Sequence, residues 1–410
     1  MSKEPGSILI AGAGCAGLSL AMHLIERKNF NRKIVVVEPR TRDEYTDDRT
    51  WSGFSTKPHL FSGLASTRWH RWKCKTPNGE NISESRRYSY ESIRSSDYYN
   101  FCFEQLTSDP RVEIHFGCRL VNSVDGSFDV VDKSTGPKRH LKPDHFFDSR
   151  PQNDSYFSGN PDDVVLWQQF SGIEVETVQD TFEPGVATLM DFAVSHGDAI
   201  RFIYVLPFSR RRALVEFTVF HPSTVPFRNL RNEAEMYLKK VYGESSWRAV
   251  GYENGRIPMV TSEIASNTSQ NTTRIGISGG LARPSTGYAF ASIHEHSRQI
   301  AMSLESGISI KDRKQSRLSK VLDRIFLSYL AKNPEKASHL FLRISQRTDP
   351  DRFARFMMDT SSLLDKLAVI MSMPKLPFIV EAWHARNIWL RRRSTSSRVQ
   401  SFRLAEKAHS

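Results

Sequence analysis

Three glycines and a distant acid carry the most chemistry in this chain. Gly12, Gly14 and Gly17 form G-x-G-x-x-G within Ser7-Ile-Leu-Ile-Ala-Gly-Ala-Gly-Cys-Ala-Gly-Leu18, and Glu38 ends a second apolar run about twenty residues later. Gly12 permits a tight turn, Gly14 lets the backbone approach a pyrophosphate, and Gly17 lets helix and strand pack closely. Free N–H groups and the positive dipole end at the helix start attract phosphate, while Glu38 can accept ribose hydroxyls. Strand, glycines, helix, strand and acid in that order predict a bound dinucleotide. A glycine-rich turn with no ligand would require none of the rest.

A second chemistry belongs to acids set among apolar residues. Glu216 lies in Ala213-Leu-Val-Glu-Phe-Thr218, where strand alternation puts Leu214, Glu216 and Thr218 on one face. Facing inward with no adjacent base, Glu216 would hold its proton and suit general-acid work; facing outward, it is a solvated strand residue. Asp191, in Leu189-Met-Asp-Phe192, would bond Glu216 or the backbone. Glu253 precedes Gly255 and an Ile-Pro-Met turn, and reads as a second proton-handling group or a turn stabiliser.

These groups need elements to hold them. Residues 8–10 and 33–38 read as buried strands with a helix over 18–26 between them. A helix is expected over 96–106, a strand over 112–116, and sheet edges over 121–131 and 140–148. Residues 166–172, 187–193, 201–206 and 212–220 read as an antiparallel sheet, followed by a helix over 230–242. A buried strand over 274–280 runs into a Gly pair and a helix over 288–304; helical spacing then continues from 316 to about 389. The Asp43–Trp51 stretch would fold over a cofactor. The fold class is therefore α/β with an α+β insert. A discontinuous Rossmann-type nucleotide domain spans 1–60, 95–165 and 250–305, a sheet-built substrate domain spans 61–94 and 166–249, and a helical region spans 306–410. One N-terminal fingerprint, a second Gly-rich junction far downstream and no further GxGxxG suit a flavin protein better than a nicotinamide dehydrogenase.

At 410 residues, 39% hydrophobic and 25% charged, the chain can fill two or three packed lobes. No apolar run approaches eighteen residues, so no spanning helix is expected. The start leads directly into the first strand and leaves no room for a signal peptide. Cys15, Cys74, Cys102 and Cys118 lack metal-ligand spacing and read as reduced thiols of a cytosolic protein. The net charge of +12 gathers in Arg210-Arg-Arg212, Lys239-Lys240, Arg391-Arg-Arg393 and the tail. No nucleic-acid module accompanies it, so nucleic acid is not the expected partner. An anionic membrane surface fits better, beside the plainer reading of a solvated basic surface. No pattern in the chain sets an oligomeric state.

Ordered blocks match a family. The chain resembles the bacterial lycopene cyclases of the β-cyclase type, within the flavoproteins that include geranylgeranyl reductases and hydroxybenzoate-type monooxygenases. The blocks are Gly12–Gly17, Asp48-Arg-Thr-Trp51, Asp148-Ser-Arg150, Gln169-Phe-Ser-Gly-Ile-Glu-Val175, Leu189–Phe192, Phe202-Ile-Tyr-Val-Leu-Pro207, Ala213–Thr218, Glu253-Asn-Gly-Arg-Ile-Pro-Met259 and Gly279-Gly-Leu-Ala-Arg-Pro-Ser-Thr-Gly-Tyr288.

The resemblance implies a redox-neutral, acid-catalysed closure of a linear carotene such as lycopene into β-ionone rings. Glu216 would be the acid, with Glu253 or Asp191 assisting. FAD would act in its reduced form, with NAD(P)H as electron source. Its contacts would be Gly12, Gly14, Gly17, Glu38, Arg49, Asp148, Gly279, Gly280, Gly287 and Tyr288, while Thr50 and Trp51 would touch flavin or substrate. Many relatives carry a second acid where Phe217 stands, and many flavoproteins carry an Asp where Gly280 stands, so no carboxylate contact is expected there. A lipid-soluble substrate further implies a cytoplasmic enzyme docked peripherally at the inner face of the cell membrane, through 325–330, 363–379 and 383–393. The same fold could instead serve an FAD-dependent monooxygenase, an isoprenoid reductase or an inactive carotenoid-binding homologue.

Overall fold

The structure, a computed structural model, describes residues 6–383 apart from 56–57, 124–125, 158–161, 195–196, 263, 265, 270, 312–314, 376–377, 379 and 382. The Arg391–Arg393 cluster, the basic tail and the docking segment past Trp383 lie outside the described residues. Among the described residues the strands form four sheets, and no helix is long and apolar enough to cross a membrane.

Ile8–Ala11 sits inside a six-stranded sheet, with Ile34–Glu38 and then Val112–Phe116 on one side and His145–Asp148 and then Thr272–Arg274 on the other. These five strands are parallel, and the short Asn267–Ser269 pairs antiparallel at the edge. Ile8–Ala11 and Ile34–Glu38 are buried throughout, as apolar runs in a parallel sheet covered on both faces must be. Helix Cys15–Ile25 leaves the tip of the first strand and packs against helices Phe290–Glu305 and Ser95–Ser108. The strand expected over 274–280 stops at Arg274. Gly276, at φ +72°, turns the chain into a short 3-10 segment, Gly276–Gly279, which an extended strand cannot accommodate.

A seven-stranded sheet forms the second layer, in the order Trp247–Val260, Val165–Thr177, Arg212–His221, Ile200–Pro207, Val186–Asp191, Arg71–Thr76 and Gly79–Glu84. Its edge strand Trp247–Val260 carries the sheet past residue 249. Ala65–Trp69 and Ser89–Arg94 instead join Thr50–Ser55 in a small sheet of their own. One face of the large sheet packs Val215, Phe217 and Val219 beneath Leu230, Ala234 and Leu238 of helix Phe227–Tyr242. The other face looks toward the nucleotide lobe and the C-terminal helices Arg317–Lys332, Ala337–Arg347, Pro350–Met357 and Leu363–Ser372. Three of these begin at side-chain caps, Ser316, Asp349 and Ser362, each accepting a backbone N–H from the first turn. Their apolar sides meet Leu166, Phe192, Phe202, Phe220 and Met259 of the sheet.

Candidate active site

One cavity of about 750 Å³ joins the three layers. Its wall includes Gly12, Gly14 and Glu38 of the nucleotide lobe, Glu216 and Glu253 of the large sheet, and Phe326, Phe341 and Phe353 of the C-terminal helices.

The nucleotide-lobe part of the wall has the form of a nucleotide cradle. A Cβ on Gly17 would stand 1.9 Å from the Gly12 carbonyl oxygen, so glycine alone permits that close crossing. A Cβ on Gly14 would meet nothing within 4 Å, leaving room for a ligand against the backbone. Helix Cys15–Ile25 has neither a side-chain cap nor an acid in its first turn, so its first N–H groups are left for an anion. Glu38 is oriented by the N–H groups of Ala13 and Arg40, at 2.7 and 2.9 Å, and borders the cavity. These features fit a dinucleotide.

The expected cofactor residues divide in two. Gly12, Gly14, Glu38, Arg49, Gly287 and Tyr288 all line the cavity. Arg49 is paired there with Asp48 at 3.0 Å. Gly287 has φ +70°, and its missing Cβ would fall 2.1 Å from Gln168 Oε1, a buried acceptor with no hydrogen-bond partner among the described residues. Gly17 acts behind the wall, through helix packing. Asp148, Gly279 and Gly280 are not on the wall. Asp148 is buried and clamped by Arg150 Nε and Nη2, both at 2.8 Å, so Ser149 and Arg150 face the cavity in its stead. Gly279 and Gly280 lie beyond the turn that Gly276 makes. Gly276 itself lines the cavity, and its Cβ would press within 2.9 Å of Ala16 Cβ.

The acids divide likewise. Leu214, Glu216, Thr218 and Phe220 face the cavity along one strand. Glu216 is 8% exposed, and burial pushes its carboxyl up to about 7, although the Thr218 hydroxyl donates to it at 2.8 Å. Glu253 is 7% exposed and lies within the long edge strand rather than before a turn. Burial and the neighbouring Glu216 charge raise Glu253 well above the ordinary carboxyl range, against a 2.8 Å hydrogen bond from the Thr50 hydroxyl. The Glu216 and Glu253 carboxyls interact, and two buried acids so placed resist ionising together, which favours a proton held by the pair. Asp191 is not brought to them. A register irregularity between Thr188 and Asp191 breaks the alternation with Leu189, and Asp191 instead accepts from Tyr237 Oη at 3.1 Å and the Ala193 N–H at 2.9 Å.

Other residues at the site gave less signal in the sequence. Tyr204 stands opposite Glu216 in register; its hydroxyl donates to that of Tyr90, which lies 2.9 Å from the hydroxyl of Tyr288. Burial raises Tyr90 and Tyr204 well above the usual phenol value, and Tyr288 to about 12. The period-2 pattern of Phe202–Pro207 could have turned Tyr204 inward, but its place beside Glu216 depends on strand register. Trp51 packs edge-on to Tyr98 and Tyr99 and stacks on Phe290.

Comparison with known proteins gives the same frame. The fold is shared with a geranylgeranyl bacteriochlorophyll reductase-like protein from Thermoplasma acidophilum, at 12% identity and TM-score 0.60 over 93% of this chain and 99% of that one. It is shared also with a flavoprotein/dehydrogenase from Cytophaga hutchinsonii, at 15% identity and TM-score 0.56 over 89% and 99%. A halogenase solved in complex with FAD matches at 10% identity and TM-score 0.54 over 92% and 87%. In sequence, a lycopene beta-cyclase of Paracoccus sp. is 25% identical over 237 residues, which make up 52% of this chain and 58% of that relative. The pattern of the family described as lycopene cyclase protein matches residues 7–382. The chain belongs to the lycopene cyclase family.

Proposed function

We propose that this protein is a lycopene β-cyclase, closing the ψ-ends of a linear carotene into β-ionone rings with no net change in oxidation state. One observation carries the reading. Glu216, a carboxyl whose hold on its proton is strengthened by burial, shares a single cavity with a nucleotide cradle and with apolar, aromatic residues of the C-terminal helices. The family and the Paracoccus relative support the substrate class.

The cradle fits FAD, which Gly12, Gly14, Glu38, Gly276 and Gly287 would hold, with NAD(P)H as the source of electrons. Reduced and anionic, it would supply negative charge beside a developing cation. The protein's own part is proton transfer in a dry space. The Glu216 O–H gives its proton to the terminal double bond, and positive charge appears on the adjacent tertiary carbon. The neighbouring double bond attacks that carbon and closes the ring. A ring proton then returns to the carboxylate, so atoms and charge balance without an oxidant. The π-faces of Tyr204, Tyr288 and Trp51 can meet the cation. Their environment keeps the tyrosines neutral, so no phenolate stands ready to trap it, and the apolar wall excludes water.

Expression in a lycopene-accumulating bacterium should convert the pigment to cyclised carotenes. Unchanged lycopene would defeat the reading, and NAD(P)H consumed in step with product would point to an oxidising or reducing flavoenzyme.

A carotene dissolves in lipid, so the reading extends to peripheral docking at the inner face of the membrane. Helix Leu363–Ser372 supports this: it exposes Leu363, Leu364, Leu367 and Met371, while Val369 and the following Met373 turn inward to line the cavity. The protein should sediment with anionic liposomes, and a Leu364→Glu/Leu367→Glu variant should stay in solution. A wild-type protein left in the supernatant would sink the docking proposal.

A further inference from the structure

Glu216 and Glu253 meet across a strand that lies between them. Gly172, in Val165–Thr177, is opposite Glu216 on one side and opposite Glu253 on the other. Neighbouring strands run roughly 4.8 Å apart, so the acids start from backbones about twice that far from each other. Any side chain in the middle row would fill the space that separates them. A Cβ on Gly172 would fall 2.8 Å from Glu253 Cγ and 2.9 Å from Leu214 Cδ1. Gly172 is not among the glycines with positive φ, so the space, and not the backbone conformation, is what calls for glycine here. Phe217 cannot supply the partner's position, because it points to the opposite face among Val215 and Val219.

We infer that Gly172 is a positioning residue: the empty middle row lets Glu253 lie across the strand and share a proton with Glu216, so that the acid of this site is a carboxyl pair. The inference rests on the cyclase reading of the cavity. Two carboxyls so close in a dry site cannot both ionise, which holds one proton in place without a neighbouring base. The groups facing the pair from the surrounding elements are Tyr204, Tyr288, Thr50, Thr218, the Arg49 cation and the Asp47 anion.

The test uses the full FAD-loaded chain. Gly172→Ala should lower kcat about tenfold or more with KM little changed. The alkaline limb of its pH profile should move down by about one unit, since separated carboxyls no longer resist losing the last proton. Glu253→Ala should show the same displaced limb, and adding Gly172→Ala to it should cost nothing further. Multiplying costs in the double variant, or an unmoved limb in Gly172→Ala, would overturn the inference. If Gly172→Ala alone fails to fold, recovery on adding Glu253→Ala supports the contact, and continued failure refutes it. An infrared carboxyl band gives a readout apart from turnover: at about pH 7 it should be present in the wild type and largely lost in Gly172→Ala. Absence of cyclised product from the wild type would therefore count against the cyclase reading, while the band would still decide the role of Gly172.

Discussion

Glu216→Gln is expected to abolish ring closure while leaving a folded, flavin-loaded protein. The amide has the shape of the acid and can occupy the same buried position, but it has no proton acidic enough to give to carbon. Loss of a positioned general acid costs on the order of 10² to 10⁴ in rate, or about 3 to 5 kcal/mol of barrier. The hydrogen bond to Glu216 comes from the Thr218 hydroxyl of its own strand rather than from Gly12, Gly14 or Glu38, so retention of cofactor and the far-ultraviolet spectrum should match wild type. Cyclised product, separated from lycopene by chromatography, is the measurement; a fully active variant would remove Glu216 from the mechanism. The wild-type rate should also carry the group's pH signature. In the proposed mechanism the protonated form is the active one, and burial lifts Glu216 from an ordinary 4.5 to about 7, so turnover should fall as pH rises through that region. The same shift acts on stability. Glu216's stabilising contribution is full below about 4.5, where both states hold the proton, and is lost as pH rises through about 7.

Arg283→Met should be the most destabilising single change outside the site. Arg283 and Asp323 form an ion pair at 3.3 Å whose side chains are 4% and 2% exposed. The guanidinium also donates to the Phe356 carbonyl and lies 4.2 Å above the Phe356 ring, while Gln315 Nε2 donates to Asp323 at 2.5 Å. The arginine backbone meanwhile closes the loop bearing Gly287 and Tyr288, through its N–H to the Tyr288 carbonyl and its carbonyl to the Gly287 N–H. One side chain thus ties the cofactor loop to the C-terminal helices. Removing it strands a buried carboxylate, at a cost of about 3 to 5 kcal/mol in urea unfolding. Arg283→Met/Asp323→Leu should recover most of that loss, because the orphaned charge goes with its partner. A single variant within about 1 kcal/mol of wild type would show that the pair is not a structural tie.

Local pattern revealed the parts of this protein that local pattern controls. The Gly12–Glu38 unit was legible because turn, helix start and acid lie on one short stretch of chain. The Val112–Phe116 strand was legible for the same reason. Alternation placed Leu214, Glu216 and Thr218 on one face, which is the face that lines the cavity. It failed at Asp191, where an irregular register turns the side chain toward Tyr237. It could not show Glu253 meeting Glu216, since that contact depends on three strands aligned on Gly172 from distant parts of the sequence. A Gly pair is the louder signal in the sequence, yet of the two positive-φ glycines in this stretch, Gly276 and Gly280, it is Gly276 that lines the cavity.

The two faces of Arg212–His221 have a consequence for how this protein can change over generations. Ala213, Val215, Phe217 and Val219 sit in the apolar layer under the helix, whereas Leu214, Glu216, Thr218 and Phe220 border the cavity. Selection for a durable fold and selection for a particular product therefore read alternate letters of one segment. Substitutions in the second set can therefore reshape the cavity while the first set, and the layer it builds, stays as it is.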